Sequence, residues 1–216
     1  MNELIIKDVE KHFGKNGLDK TSFTVKEGEH LCITGESGCG KTTLLNIITG
    51  MLKADCGSVI LNGKDIYSSM SERARTKLRN KTIGYMMQGN TLIPELNVED
   101  NIRCVLELNG KRADCGRISI IAGRLGINGI LRSYPSEISG GEYRRVLLAR
   151  TMMLEPDILV ADEPTSNLDE NSAAAVRTLL DEYIADKSHI LIVSTHDKAL
   201  TDKCSRVMKL PQNVSV

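Results

Sequence analysis

An α/β fold with a parallel sheet covered on both faces is predicted by two observations on this 216-residue chain. Short runs that are apolar throughout, Ile158-Leu159-Val160-Ala161 and Ile190-Leu191-Ile192-Val193, alternate with helical stretches, and a strand with no polar alternation must bury both its faces. A glycine-rich loop, Gly35-Glu36-Ser37-Gly38-Cys39-Gly40-Lys41-Thr42-Thr43, stands between the β-like run His30–Thr34 and the apolar helical run Leu44–Ile48. That is the strand–loop–helix setting in which G-x-x-x-x-G-K-[ST] binds phosphate. The length suffices for one substantial core, or one core with a small helical subdomain.

Taken in order, Leu4-Ile5-Ile6 with Val9 predicts a first strand and Ser22–Val25 a second, closed by the turn Lys26–Glu29, with Lys11–Gly14 between them. After the loop and its helix, Gly57–Gly63 reads as a strand ending in an Asn-Gly turn, followed by a charged helix around Ser71–Arg79. Ile83–Met87 is a short buried strand ending at Gln88; Gly89–Asn97, which holds Pro94, is a loop. Val98–Leu108 has helical spacing and stops at Gly110. From Lys111 to Leu131 the chain is helical but punctuated by Gly116, Gly123, Gly126 and Gly129, as in a small subdomain. Tyr134–Glu137 is loop, Ile138–Glu142 leads into a helix to about Leu154, and a further helix covers about Ser172–Ala185.

Basic and acidic residues balance at 28 each, so no overall field draws the protein to nucleic acid or to an anionic membrane. Six cysteines (Cys32, Cys39, Cys56, Cys104, Cys115, Cys204) are scattered without zinc spacing, which suits reduced thiols in the cytosol. The first residues lack the pattern of a secretory signal, and no run approaches the ~18 apolar residues of a membrane span. Work at a membrane would require spans from another chain.

Two clusters carry chemistry. Backbone N–H groups of the glycine-rich loop and of the helix after it can hold phosphate oxygens, Lys41 can reach the β- and γ-phosphates, and the Thr42 hydroxyl can bind Mg²⁺, with Thr43 continuing into the helix. Asp162, ending an apolar strand, can hold Mg²⁺ beside Thr42, and Glu163 would face the space beyond the γ-phosphate and polarise a water. Acids at strand ends also serve as helix caps; the upstream loop favours the metal reading. His12, His30 and His189 read as surface or strand-edge residues, Tyr85 and Tyr134 as packing, and Cys39 fills a loop position open to any small residue.

In motif order from Leu4 to about Leu210, the chain resembles the nucleotide-binding subunit of ATP-binding-cassette systems. Phe13 stands where that family stacks adenine, Gly35–Thr43 is its Walker A, Gln88 the Q-loop glutamine, and Ser139-Gly140-Gly141-Glu142 the signature. Ile158–Glu163 is Walker B, Ser166-Asn167-Leu168-Asp169 the D-loop and His196 the switch histidine. The resemblance implies a single P-loop ATPase domain with an antiparallel β part: a core of about 1–88 and 155–216 with a helical subdomain of about 89–154. ATP would be held by Phe13, Gly35, Ser37, Gly38, Cys39, Gly40, Lys41, Thr42 and Thr43, and, from a second copy, by Ser139, Gly140, Gly141 and Asp169. Mg²⁺ would be held by Thr42, Gln88 and Asp162, with Glu163, His196, Gln88 and Lys41 catalytic. Glu142 departs from the family's usual glutamine and Ile138 from its leucine; a carboxylate turned toward triphosphate would repel it.

Within the family, Asp162–Asp169, Leu92-Ile93-Pro94 and the short length look like the macrolide-export and lipoprotein-release branch, which includes antimicrobial-peptide exporters. The implied function is an ATPase that dimerises around two MgATP and powers a membrane permease moving peptide, lipoprotein or drug. The alternatives are a cell-division ATPase that signals through a membrane partner without transport, and a nucleic-acid machine of the superfamily, for which the coiled-coil insertion, zinc cysteines and second cassette are missing. The implied partners are a transmembrane permease docked near residues 88–97 and a second copy of the chain, with no nucleic acid. The implied location is cytoplasmic, on the inner face of the cell membrane and attached through the permease alone.

Overall fold

The computed structural model describes residues 2–14, 16–89, 91–112 and 115–211. Five strands, β3 (His30–Thr34), β6 (Ile83–Met86), β7 (Ile158–Asp162), β8 (Ile190–Ser194) and β9 (Arg206–Lys209), form a parallel sheet in the order β6-β7-β8-β3-β9. A second, antiparallel sheet has the order β2-β1-β4-β5, from β1 (Glu3–Phe13), β2 (Asn16–Lys26), β4 (Cys56–Leu61) and β5 (Lys64–Asp65). The helices are α1 (Lys41–Ile48), α2 (Glu72–Lys81), α3 (Val98–Leu108), α4 (Cys115–Arg124), α5 (Gly140–Met152), α6 (Glu170–Ala185) and the short α7 (Lys198–Thr201).

Strand periodicity explains why the parallel strands are apolar at every position. On β7, Ile158 and Val160 join the core cluster that contains α1 and the antiparallel sheet, whereas Leu159 and Ala161 join the opposite cluster with α3, α4, α5 and α6. Ile190 and Ile192 against Leu191 and Val193 divide in the same way on β8. Each Val, Leu or Ile side chain so enclosed contributes roughly 1.5–3 kcal/mol of burial. The strands β7, β8 and β3 are neighbours in the middle of the sheet, so their carboxyl ends open together on one edge, where parallel sheets bind ligands.

Several boundaries differ from the sequence expectation. β1 and β2 form one hairpin of eleven residues each, so Phe13 ends a strand, paired with Asn16, rather than lying in a connection between two short ones. The expected Asn-Gly turn is present with both residues left-handed (Asn62 φ 51°, Gly63 φ 77°), and it leads into β5, too short to read from sequence. The stretch 111–131 divides into α4 and a 3-10 turn at Asn128–Ile130, broken at Gly126 (φ 63°); Ala113 and Asp114 lie outside the described residues, as does Asn90 in the predicted loop. Helix α7 and strand β9 were not expected. His189 is not a bland edge residue, because its ring stacks on Tyr183 with centroids 4.4 Å apart, and Tyr134 is exposed rather than packed. Among the described residues no helix is long and apolar enough to cross a membrane.

One buried polar residue shapes the loop after β6. Asn101, fully buried on α3, accepts from the Ile93 N–H (2.8 Å) and donates to the carbonyls of Ile93 (3.0 Å), Leu96 (2.8 Å) and Asn97 (3.1 Å). Leu92 is thereby kept inside while Ile93 stays partly exposed. Asn101→Ala leaves these backbone groups without their partner, and we expect a loss of about 1–3 kcal/mol in urea denaturation, with faster amide exchange confined to residues 93–97.

Candidate active site

The carboxyl edge of the parallel sheet holds a cleft of about 320 Å³ lined by Phe13, Asn16, Gly17, Ser37, Gly38, Gly40, Lys41, Thr42, Thr43, Gln88, Asp162, Glu163 and His196. Its floor is the start of α1. Helices α2, α3, α5 and α6 each have a side chain on their first-turn N–H groups (Ser71, Asn97, Ser139 and Asp169) and an acid in the first turn. Helix α1 has neither: its N-cap is Gly40, left-handed at φ 95°, with no side-chain cap and no first-turn acid. Its N–H groups and the positive end of its dipole are therefore left for an anion, and they fit a nucleotide's phosphates. The Lys41 ammonium lies across the same loop, donating to the carbonyls of Gly35 (2.6 Å) and Glu36 (3.0 Å).

Above this floor stand the acids. Asp162 is almost fully buried, and its two carboxylate oxygens are separately engaged: Thr42 Oγ1 donates to Oδ2 (2.7 Å) and the Ser194 hydroxyl to Oδ1. A buried carboxylate, a threonine hydroxyl and the Gln88 amide on one cleft form a set of hard oxygen donors that fits Mg²⁺. Thr42, Asp162 and Gln88 are the residues that would hold it.

Glu163, next in the chain, points its carboxylate toward His196, Oε1 to Nε2 3.4 Å. Burial lifts its pKa above the ordinary glutamate value, and the nearby His196 and Lys41 pull it partly back. A carboxylate with raised basicity suits the task of taking a proton from water. Its backbone is left-handed (φ 52°), and its carbonyl accepts from the Ser166 N–H (3.2 Å), the Ser166 hydroxyl (3.2 Å) and Arg144 Nη1. His196 is carried on a loop pinned by Asp197, which caps α7 at Ala199 N (2.9 Å) and accepts from Arg177 of α6 (2.9 Å). Partial burial raises the Asp197 pKa, but the hydrogen bonds from Arg177, Thr165 and the Ala199 N–H outweigh it and hold the group below the usual aspartate value.

The remaining predicted residues lie elsewhere. Gly35 and Cys39 are in the loop but do not line the cleft, and the Cys39 side chain is buried in the core. Ser139, Gly140 and Gly141 form the start of α5, apart from the cleft, and Asp169 caps α6, accepting from the Ser172 N–H (3.0 Å). Glu142 turns back on its own helix start: it accepts from the Ser139 N–H (2.8 Å) and hydroxyl (2.8 Å), while its N–H donates to Ser139 Oγ (3.3 Å). This reciprocal capping box gives the departure from glutamine a local role and lowers the Glu142 pKa. Sequence reasoning missed Arg144, Arg177, Ser194 and the Asn16–Gly17 wall. Only Ser194 carried a signal, a hydroxyl at the end of an apolar strand.

Residues 18–166 match the ABC transporter family. The chain is 38% identical over 195 residues to the lipoprotein-releasing system ATP-binding protein LolD of Alcanivorax borkumensis, covering 89% of this chain and 85% of that one. It is 35% identical over 214 residues, 96% of each chain, to HrtA of Staphylococcus haemolyticus, provisionally named a hemin import ATP-binding protein. Its fold superposes on the ATP-binding cassette MJ0796, solved as a post-hydrolysis dimer bound to ADP and Pi, with a TM-score of 0.88 at 28% identity, over 97% of this chain and 94% of that one. The fold, the phosphate cradle and the match over most of the length lead to one assignment: the chain belongs to the ABC transporter family, as one of its ATP-hydrolysing cassettes.

Proposed function

We propose that this chain is the nucleotide-binding subunit of a membrane exporter or extractor, closing head to tail with a second copy around two MgATP. The observation that carries the reading is a separation within one chain. Phosphate cradle, acids and His196 share one cleft, whereas Ser139, Gly140 and Gly141 lie apart from it at the start of α5, which supports their serving a site on another copy. In each site Phe13 would stack on the base and the α1 start and Lys41 would hold the phosphates. Glu163 would take the proton of the attacking water, and His196 would donate toward the γ-phosphate. When bound, Mg²⁺ would neutralise charge on the β- and γ-phosphate oxygens. The names of LolD and HrtA support a transporter and differ on cargo; the proposed cargo is a peptide, lipoprotein or drug, reached through a permease that docks on residues 88–97.

Light scattering on wild type and Glu163→Gln, with and without MgATP, tests the composite site. The Gln variant is expected to double in mass with MgATP and to remain a monomer without it. A monomer under both conditions, with nucleotide bound, would sink the head-to-tail reading.

Glu142 gives this reading a second handle. Its carboxylate accepts the hydrogen bond of the Ser139 hydroxyl that a second copy's γ-phosphate would need, and it would place negative charge beside that phosphate. Gln at the same position keeps the capping box but drops the charge. Glu142→Gln is therefore expected to tighten the ATP-driven dimer of the Glu163→Gln protein several-fold. It should cost about 0.3–1 kcal/mol of thermal stability through the lost charge–dipole term. Sedimentation and a melting curve read the two effects separately.

A further inference from the structure

Helix α5 begins at the segment that would serve another copy's ATP, and five residues past its N-cap it reaches into its own chain's catalytic turn. Arg144 Nη1 donates to the Glu163 carbonyl and, at 3.4 Å, to the Asp162 carbonyl, so one guanidinium nitrogen grips two successive peptide groups at the end of β7. Those peptides set where the Glu163 carboxylate points, because the residue sits in a left-handed conformation (φ 52°) that its neighbours must hold. Arg144 also lines a hollow of about 310 Å³ with Gly89, Gly140 and Asn167, where the start of α5 meets the turn after β7. Leu168, in that turn, lies close against Gly141: a methyl group on the glycine would come within 3.2 Å of Leu168 Cδ2.

We infer that Arg144 is a positioning residue for hydrolysis, holding the Glu163 backbone from the helix whose start serves the opposite ATP. It thereby links the geometry of each site to closure at the other. The link between sites rests on the composite-site reading above; the positioning of Glu163 does not. The Glu163 carbonyl keeps its two donors from Ser166 if Arg144 is removed, so substitution leaves the turn bonded and changes its orientation rather than its existence.

The test uses the full chain as wild type, Arg144→Gln and Arg144→Lys, each also combined with Glu163→Gln. Arg144→Gln is expected to lower kcat by about 10–100-fold, with the KM for ATP within about twofold and the melting temperature little changed. Arg144→Lys, which restores a cationic donor, is expected to recover a substantial part of that loss. In the Glu163→Gln background, Arg144→Gln should still dimerise with MgATP. A kcat within about twofold of wild type, or a loss of kcat matched by a rise in KM or a collapse of the melting transition, overturns the positioning role. If Glu163→Gln itself does not dimerise with MgATP, the link between sites falls, and the kcat of Arg144→Gln alone decides the positioning of Glu163.

Discussion

Glu163→Gln is expected to lower ATP turnover by about 10²–10⁴-fold while ATP affinity stays within a few-fold of wild type. The physical reason is the division of labour at the end of β7. Asp162 carries the contacts to Thr42 and Ser194, and Glu163 carries none of them; its carboxylate faces the cleft beside His196. An amide of the same shape keeps the packing and removes both the charge and the ability to accept a proton. Nucleotide binding, which the proposed function assigns to the α1 start and Lys41, should survive. Phosphate release at saturating MgATP, set beside an equilibrium titration with ATP, reads the two quantities. Turnover within tenfold of wild type would move the base elsewhere, with His196, 3.4 Å away, first in line.

Gly40→Ala is expected to cost at least about tenfold in ATP affinity together with a few kcal/mol of stability. Gly40 is the N-cap of α1 at φ 95°, and a Cβ there would lie 2.6 Å from the Gly17 carbonyl oxygen and 3.1 Å from Leu18 Cα. The start of α1 thus rests directly on β2. The added methyl must push the helix off that strand, and the N–H groups of the first turn move with it. Gly38→Ala separates the two causes: Gly38 is also left-handed, at φ 81°, but nothing lies within 4 Å of its would-be Cβ. It should show backbone strain alone and the smaller loss. Equal losses for the two variants would mean that conformation, not contact with β2, sets the cradle.

The cleft was legible from sequence because its parts are local and chemically distinctive. The loop 35–43 is a contiguous motif, and Asp162-Glu163 and His196 each lie at or just past the end of a strand whose apolar run announces burial on both faces. The parts that were missed lack such signals. Strand β9 lies at the edge of the sheet, pairs among the described residues only with β3 and leaves three of its four residues exposed, so its sequence has no need of an apolar run. The full length of β1 and β2 is hidden by register shifts between Ile6 and Lys11 and by Asp8 at φ 50°, which break the alternation that marks a strand. Arg144 and Arg177 act through long side chains that reach backbone or acids from other elements, and arginine on a helix gives no local sign of its target. The role of Glu142 is not written in its spacing, since a glutamate three residues after a serine could turn outward or back; here it turns back.

The pairing of β3 also sets when the site can come into being. The strand that feeds the phosphate-binding loop is made before the other four of its sheet, and both of its neighbours there, β8 and β9, lie more than a hundred residues later in the chain. At a synthesis rate of about 5–20 residues per second, β3 waits on the order of ten to thirty seconds for either flank. During that interval the antiparallel hairpin can form beside it from local sequence, but Thr42 has no Asp162 and the loop no sheet to stand on. The nascent chain therefore carries the whole nucleotide motif long before it can hold a nucleotide, and ATP can select only chains whose last strands have been laid down.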